Sequence, residues 1–322
     1  MNNPERVDVV IPTYRPDGRL EELLKRLGKQ NYPIRHIYVI NTRSDRFPED
    51  VEHIPGVIVS HIDQEDFDHG ATRNLGFSMS DAKIVVFMTQ DAMPADSRLI
   101  ENLIEPLGEE LVGVSYARQL PAGDCDFIER YTRKFNYPEE SRIKGREDIP
   151  ELGIKTFFCS NVCAAYRRDV YEALGGFSRR TIFNEDMILA GRMVQAGYKV
   201  AYAAEARVIH SHNYSGLQQF HRNFDLAVSQ ADNPEVFSQV RSESEGIRLV
   251  KNTMGYLLKS RKPYLIPVLV YKSGCKYLGY KLGQNYRKLP QLGSKVVFHE
   301  HDILGQIGEK PGFLIEVWQE IG

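Results

Sequence analysis

No apolar run in this 322-residue chain approaches the roughly 20 residues that a membrane-spanning helix needs. Cysteine is scarce: Cys125, Cys159, Cys163 and Cys275 are the whole complement, and none has the CxxC spacing of a zinc or redox pair. That argues for reduced thiols and against a disulfide framework. Cys159 and Cys163 flank Asn161 in an apolar run and read as buried packing. Overall charge is nearly absent, at −2, so nothing in the balance asks for nucleic acid. The opening Met1 to Arg6 is polar and leads directly into a strand, so no secretory signal is expected. Internal repeats and low-complexity segments are also missing. One long stretch lacks acid altogether: Gly246 to His299 holds no Asp or Glu but eleven Lys and Arg, with six tyrosines among them.

What is present begins with a 42% hydrophobic composition, ample for a sizeable core. Val7 to Ile11, Ile37 to Ile40, Val57 to Val59 and Ile84 to Met88 are short β-branched runs of the buried-strand kind. Between them, Leu20, Leu23, Leu24 and Leu27 mark an amphipathic helix ending near Gly28, and residues 71–79 form another. Such alternation predicts an α/β fold with a mainly parallel sheet flanked by helices. Ligands of these sheets bind beyond the carboxyl ends of the strands. Polar residues there, Thr13, Asn41, Asp63 to His69 and Asp91, are therefore the ones to read for chemistry. Residues 117–155 carry Pro121, Pro138 and Pro150 and read as a polar, mobile or acceptor-facing insertion; sheet patterning resumes over 156–166 and at 200–203.

The richest segment is Thr181 to Leu189, where Glu185 and Asp186 precede Met187, Leu189, Ala190, Met193 and Val194. That apolar spacing predicts a helix with both acids in its first turn, where the dipole favours ionised carboxylates. A carboxylate beside a cleft can act as a general base, though complementing the dipole is the plainer use. Asp91 closes the fourth strand, where a carboxylate can hold a hard cation or merely form a turn. Alternation puts His210 and His212 on the same side of an extended segment, as metal or phosphate contacts or as ordinary hydrogen-bonding histidines. Asp68 to Asn74 opens a helix with Arg73, suited to an anionic ligand; Arg73 can instead pair with Asp63, Glu65, Asp66 or Asp68.

Read in order, Val9 to Tyr14, Gly70 to Asn74, Thr89-Gln90-Asp91, Arg167 to Phe177 and Asn184-Glu185-Asp186 resemble the inverting, GT-A-fold glycosyltransferases of family 2. Phe67 to Asn74 with Met88 to Pro94 is most similar to bacterial rhamnosyltransferases of cell-wall polysaccharide synthesis, which use dTDP-L-rhamnose. The resemblance implies Asp186 as catalytic base with Glu185 beside it, and Asp91 as ligand of Mg²⁺ or Mn²⁺ joined by His210 or His212. It implies Pro12, Thr13, Tyr14 and Asn41 around base and ribose and Arg73 near the diphosphate; Asp68, Thr89 and Gln90 complete the candidate nucleotide-sugar contacts. Thr89 stands where the family's first metal-motif Asp is usual, and Asn41 replaces a usual Asp.

The resulting expectation is a GT-A domain over 1–214 and a helical, basic, aromatic-rich C-terminal extension over 215–322. The extension suits the headgroup layer of an anionic membrane, at about 1 kcal/mol for each basic residue near the surface, with a basic face for nucleic acid or a solvated helical bundle as the other readings. The implied enzyme is cytoplasmic, peripheral on the inner membrane surface, and acts on a lipid-linked glycan acceptor. Self-association into a homo-oligomer is compatible with this picture. A nucleotidyltransferase would carry a Gly-rich basic loop after the first strand, which is missing here; a non-catalytic sugar-nucleotide or glycan-binding protein is the other alternative, because Thr89 spoils the acid pair.

Overall fold

The computed structural model describes residues 5–238, 240 and 243–288. Nine strands form one mixed sheet: β1 (Val7–Tyr14), β2 (Ile34–Thr42), β3 (Val57–Ile62), β4 (Ile84–Met88), β5 (Met93–Pro94), β6 (Val112–Leu120), β7 (Arg142–Lys144), β8 (Cys163–Arg167) and β9 (Lys199–Ile209). Their order is β3-β2-β1-β4-β8-β6-β9-β5, with β7 pairing to β9. β1 runs parallel to β2 and β4, and β2 to β3, whereas β8 is antiparallel to both β4 and β6. β9 is parallel to β6 and antiparallel to β5 and β7. β4 reads as a continuous apolar run because it is buried at all five positions, as expected of a parallel strand covered on both faces.

The helices are α1 (Gly18–Leu27), α2 (His69–Met79), α3 (Leu99–Ile104), α4 (Phe127–Asn136), α5 (Ile149–Leu152), α6 (Arg168–Ala173) and α7 (Glu185–Gln195), then α8 (Gly216–Asp232), α9 (Pro234–Phe237), α10 (Glu243–Lys259) and α11 (Ile266–Gln284). Leu20, Leu23, Leu24 and Leu27 are the buried stripe of α1, and Asp17 caps it by accepting from the Arg19 amide.

Residues 117–155 are only in part outside the core: α4 buries no residue, but the segment also contributes to the sheet and its interior. Its first four residues complete β6, with Ala117 and Gln119 buried, and Tyr137 and Lys144 are buried further along. Lys144 Nζ donates to the carbonyls of Lys155 (2.9 Å) and Phe158 (2.7 Å), tying down the loop ahead of β8. Polar residues in a buried strand defeat a reading based on hydrophobicity, and here Gln119 and Lys144 find their partners inside the protein. Over 156–166 the strand is confined to its end, from Cys163; a 3₁₀ turn spans Gly153–Phe157.

In the C-terminal region α11 lies against α8 at backbone contact. A Cβ on Gly279 or Gly283 would collide with the carbonyl oxygens of Phe220 and Phe224, so glycine permits the approach. Val236 and Phe237 of α9 belong to the same core cluster as Val10 and Phe87 of the sheet. Lys295, one of the eleven basic residues of the acid-free stretch, lies outside the described residues.

Candidate active site

Strand register assembles the site. Met88 at the end of β4 pairs with Cys163 at the start of β8, and Leu120 at the end of β6 pairs with Ile209 at the end of β9. The residues following β4 and β9, those ending β6 and those preceding β8 therefore share one edge of the sheet. β5 pairs Met93 with Ile209 in antiparallel register, which carries Asp91 to the segment holding His210 and His212. Asp91 Oδ2 lies 3.2 Å from His212 Nε2 and 3.6 Å from His210 Nε2, and the two imidazole nitrogens are 3.1 Å apart.

These three donor atoms fall within 4.8 Å of one another. One carboxylate oxygen and two imidazole nitrogens converging on one point suit a divalent ion of intermediate hardness. Burial opposes ionisation of Asp91, yet the His210 and His212 imidazoles beside it hold its carboxylate far below the usual range. Burial pushes the His210 imidazole down, toward the neutral form that ligates metals.

The two acids of α7 have separate uses. Asn184, at φ 76°, takes the left-handed conformation that Asn tolerates and turns the chain into the helix. Glu185 is buried; its Oε1 pairs with Arg73 Nη1 (3.2 Å) and accepts from Asn161 Nδ2 (3.0 Å). Burial works against its charge, but Arg73, His69 and Asn161 together hold it below the usual glutamate range. Asp186 accepts only main-chain hydrogen bonds there, from Asn161 (2.9 Å) and Met187 (2.7 Å). Burial, then the adjacent Glu185 charge, pushes its carboxyl well above the ordinary aspartate range. A carboxylate so raised is a better proton acceptor near neutrality.

Arg73 thus pairs with Glu185 and not with Asp63, Glu65, Asp66 or Asp68; its remaining contact is the His69 carbonyl (2.9 Å). The earlier acids are poor partners because Arg73 points inward from α2, whereas Asp63 engages the exposed Arg43 (3.1 Å). Asp68 caps α2 through Ala71 (2.6 Å). Thr13 and Asn41 are register partners at the ends of β1 and β2, buried and hydrogen-bonded to each other (3.0 Å). Gln90 forms a reciprocal amide pair with the Tyr14 main chain, at 2.9 and 3.1 Å, that ties the ends of β1 and β4. Thr89 donates its amide to Val162 (3.2 Å), Pro12 is half-buried, and the Tyr14 ring is exposed beside Gln64. Asn161 is the residue that sequence reasoning passed over. Its signal was faint, a lone polar group in an apolar run, where burial demands hydrogen-bond partners.

Comparisons with known proteins agree with this geometry. The pattern of glycosyl transferase family 2 matches residues 8–175. O-antigen chain rhamnosyltransferase RfbN of Salmonella typhimurium is 40% identical over 288 residues, covering 88% of this chain and 91% of that protein. O-antigen chain rhamnosyltransferase WbaN of Salmonella anatum is also 40% identical over 288 residues, covering 88% and 90%. Among solved structures, mannosyltransferase PcManGT from Pyrobaculum calidifontis, in complex with GDP-Man and Mn²⁺, superposes with a TM-score of 0.60 at 16% identity, covering 89% of each chain. S. aureus TarS 1–349 superposes at 0.53 and 14% identity, covering 88% of this chain and 91% of that one. With its mixed, mainly parallel sheet flanked by helices, the chain belongs to glycosyl transferase family 2 and is a glycosyltransferase of GT-A fold.

Proposed function

We propose that this enzyme transfers L-rhamnose from dTDP-L-rhamnose, with inversion, onto a hydroxyl of a lipid-linked glycan during bacterial cell-surface polysaccharide synthesis. The observation that carries the chemistry is Asp186: a carboxyl pushed up by burial, held by two main-chain amides, at the sheet edge that also bears Asp91, His210 and His212. Each Asp186 oxygen accepts one amide proton, so lone pairs remain for an acceptor hydroxyl. That hydroxyl then attacks the anomeric carbon opposite the leaving diphosphate, and the single displacement inverts configuration without a protein nucleophile. A divalent ion at the Asp91 trio, Mg²⁺ or Mn²⁺, supplies Lewis-acid stabilisation of the charge on the leaving group. Glu185 and Arg73 keep the first turn of α7 in place, and Pro12, Thr13, Tyr14, Asn41, Asp68, Thr89 and Gln90 shape the nucleotide side. The names of both Salmonella relatives support rhamnose as the sugar and a surface glycan as the product.

A cavity of about 260 Å³ beside Gln119, lined by Arg118, Arg130, Lys134, Tyr131 and Tyr256, supports an acceptor that carries phosphate. No helix among the described residues is long and apolar enough to cross a membrane. Around the turn from α10 to α11, however, Leu258, Tyr264, Val268 and Tyr271 are exposed beside the exposed Lys259 and Arg261. This patch supports docking of the 215–322 region on the inner membrane surface, with 1–214 as the catalytic domain. Thermal shift across a nucleotide-sugar panel tests the donor: stabilisation by UDP-sugars and not by dTDP-L-rhamnose refutes it.

A further inference from the structure

One buried side chain links His210 to the loop residue that precedes Asn161. Gln119, near the end of β6, is 3% exposed. Its Oε1 accepts from Arg133 Nη1, and Arg133 is itself held by Glu129 (2.8 Å). A guanidinium can only donate, so the amide atom facing it is the oxygen, and the orientation of the Gln119 amide is settled. His210 Nδ1 lies 3.1 Å from that same oxygen. An oxygen without a proton requires Nδ1 to carry one, which leaves Nε2 of a neutral ring with its lone pair. Nε2 is the atom that faces Asp91 and His212. From its other end, Gln119 Nε2 donates to Ser160 Oγ (3.0 Å), and the next residue, Asn161, holds Asp186 through its amide.

We propose that Gln119 is a positioning residue that locks His210 in the tautomer able to ligate a metal and joins the Asp91 trio to the loop that seats Asp186. This rests on the trio being a metal site, and the experiment separates the two claims. In the metal-free full-length chain, ¹⁵N spectra of the imidazoles distinguish the neutral tautomers. His210 is expected with its proton on Nδ1 in the wild type and off it in Gln119→Met. Mn²⁺ uptake without donor, followed by electron paramagnetic resonance, is expected to weaken about 10- to 100-fold in Gln119→Met, the usual cost of removing a partner behind a ligand. Gln119→Glu keeps an acceptor toward both Arg133 and His210 and should bind Mn²⁺ as the wild type does. A wild-type His210 protonated on Nε2 overturns the proposal, as does a Gln119→Met chain with undiminished uptake or a Gln119→Glu chain as weak as Gln119→Met. These outcomes leave the metal site standing, whereas a wild type that takes up no divalent ion removes both. Should Gln119→Met fail to fold, the wild-type tautomer and the Gln119→Glu titration decide.

Discussion

Two carboxylates at opposite edges of the same sheet are buried with different company. Asp8, near the amino end of β1, is wholly buried and accepts from Arg35 (2.6 and 3.1 Å), Ser80 (2.7 Å) and the His36 amide (3.1 Å). Asp186, at the carboxyl edge, meets no cation at hydrogen-bond distance among the described residues, because the adjacent Glu185 has taken Arg73. A buried acid with a permanent counter-charge is committed to structure. One that receives only amide dipoles while its neighbour holds the cation stays poised to change protonation. Burial is common to both, so the allocation of cations is what separates scaffold from chemistry.

The sharpest challenge to that contrast is Asp186→Asn. It should lower kcat by about 10²- to 10⁴-fold, the usual worth of a general base, with the unfolding midpoint little changed. Assay with dTDP-L-rhamnose and a lipid-linked acceptor checks this, and near-normal transfer removes Asp186 from the base role. Next is Arg73→Met, which strands the buried Glu185 and should cost about 3–5 kcal/mol in denaturant unfolding. The double variant with Glu185→Gln should recover much of the loss. A raised donor KM at unchanged stability would instead mean that Arg73 serves the diphosphate. Asp8→Asn gives the converse at the other edge: destabilisation by about 3 kcal/mol without a change in kcat per folded molecule.

On the membrane side, Lys259→Ala with Arg261→Ala should reduce partition onto anionic liposomes roughly 30-fold, at about 1 kcal/mol per charge. Equal partition of variant and wild type would remove the turn from the docking surface. The smallest effect is in the pH profile. Because Asp186 is raised and must be ionised to act, the acid limb of kcat/KM should lie well above the free aspartate range of about 4. Glu185→Gln removes a like charge and leaves Arg73 nearby, so the limb should move to lower pH.

Much of the frame was legible in the chain. The four parallel strands declare themselves as short apolar runs, most fully in β4, where burial on both faces leaves no room for polar alternation, and α1 does so through its leucine stripe. α7 was equally plain, since both acids precede a clear helical period. β6 was not, because Ser115, Arg118 and Gln119 interrupt its apolar pattern, and the partners of Arg118 and Gln119 lie far away in sequence. Nucleotide-side candidates were legible as positions at strand ends, but not in what they touch. Asp68 caps a helix, Thr13 and Asn41 bond each other, and Gln90 clamps β1.

By itself, the sequence determined the kinds of element and the inventory of acids, imidazoles and cations, since periodicity and residue chemistry are local properties. Only tertiary structure decided which acid receives which cation. Arg73 meets Glu185, Asp91 meets two histidines and Asn161 reaches Asp186 through the pairing of β4 with β8 and of β5 with β9. Electrostatic fate depends on distances of a few ångströms between residues far apart along the chain, and only strand register sets those distances.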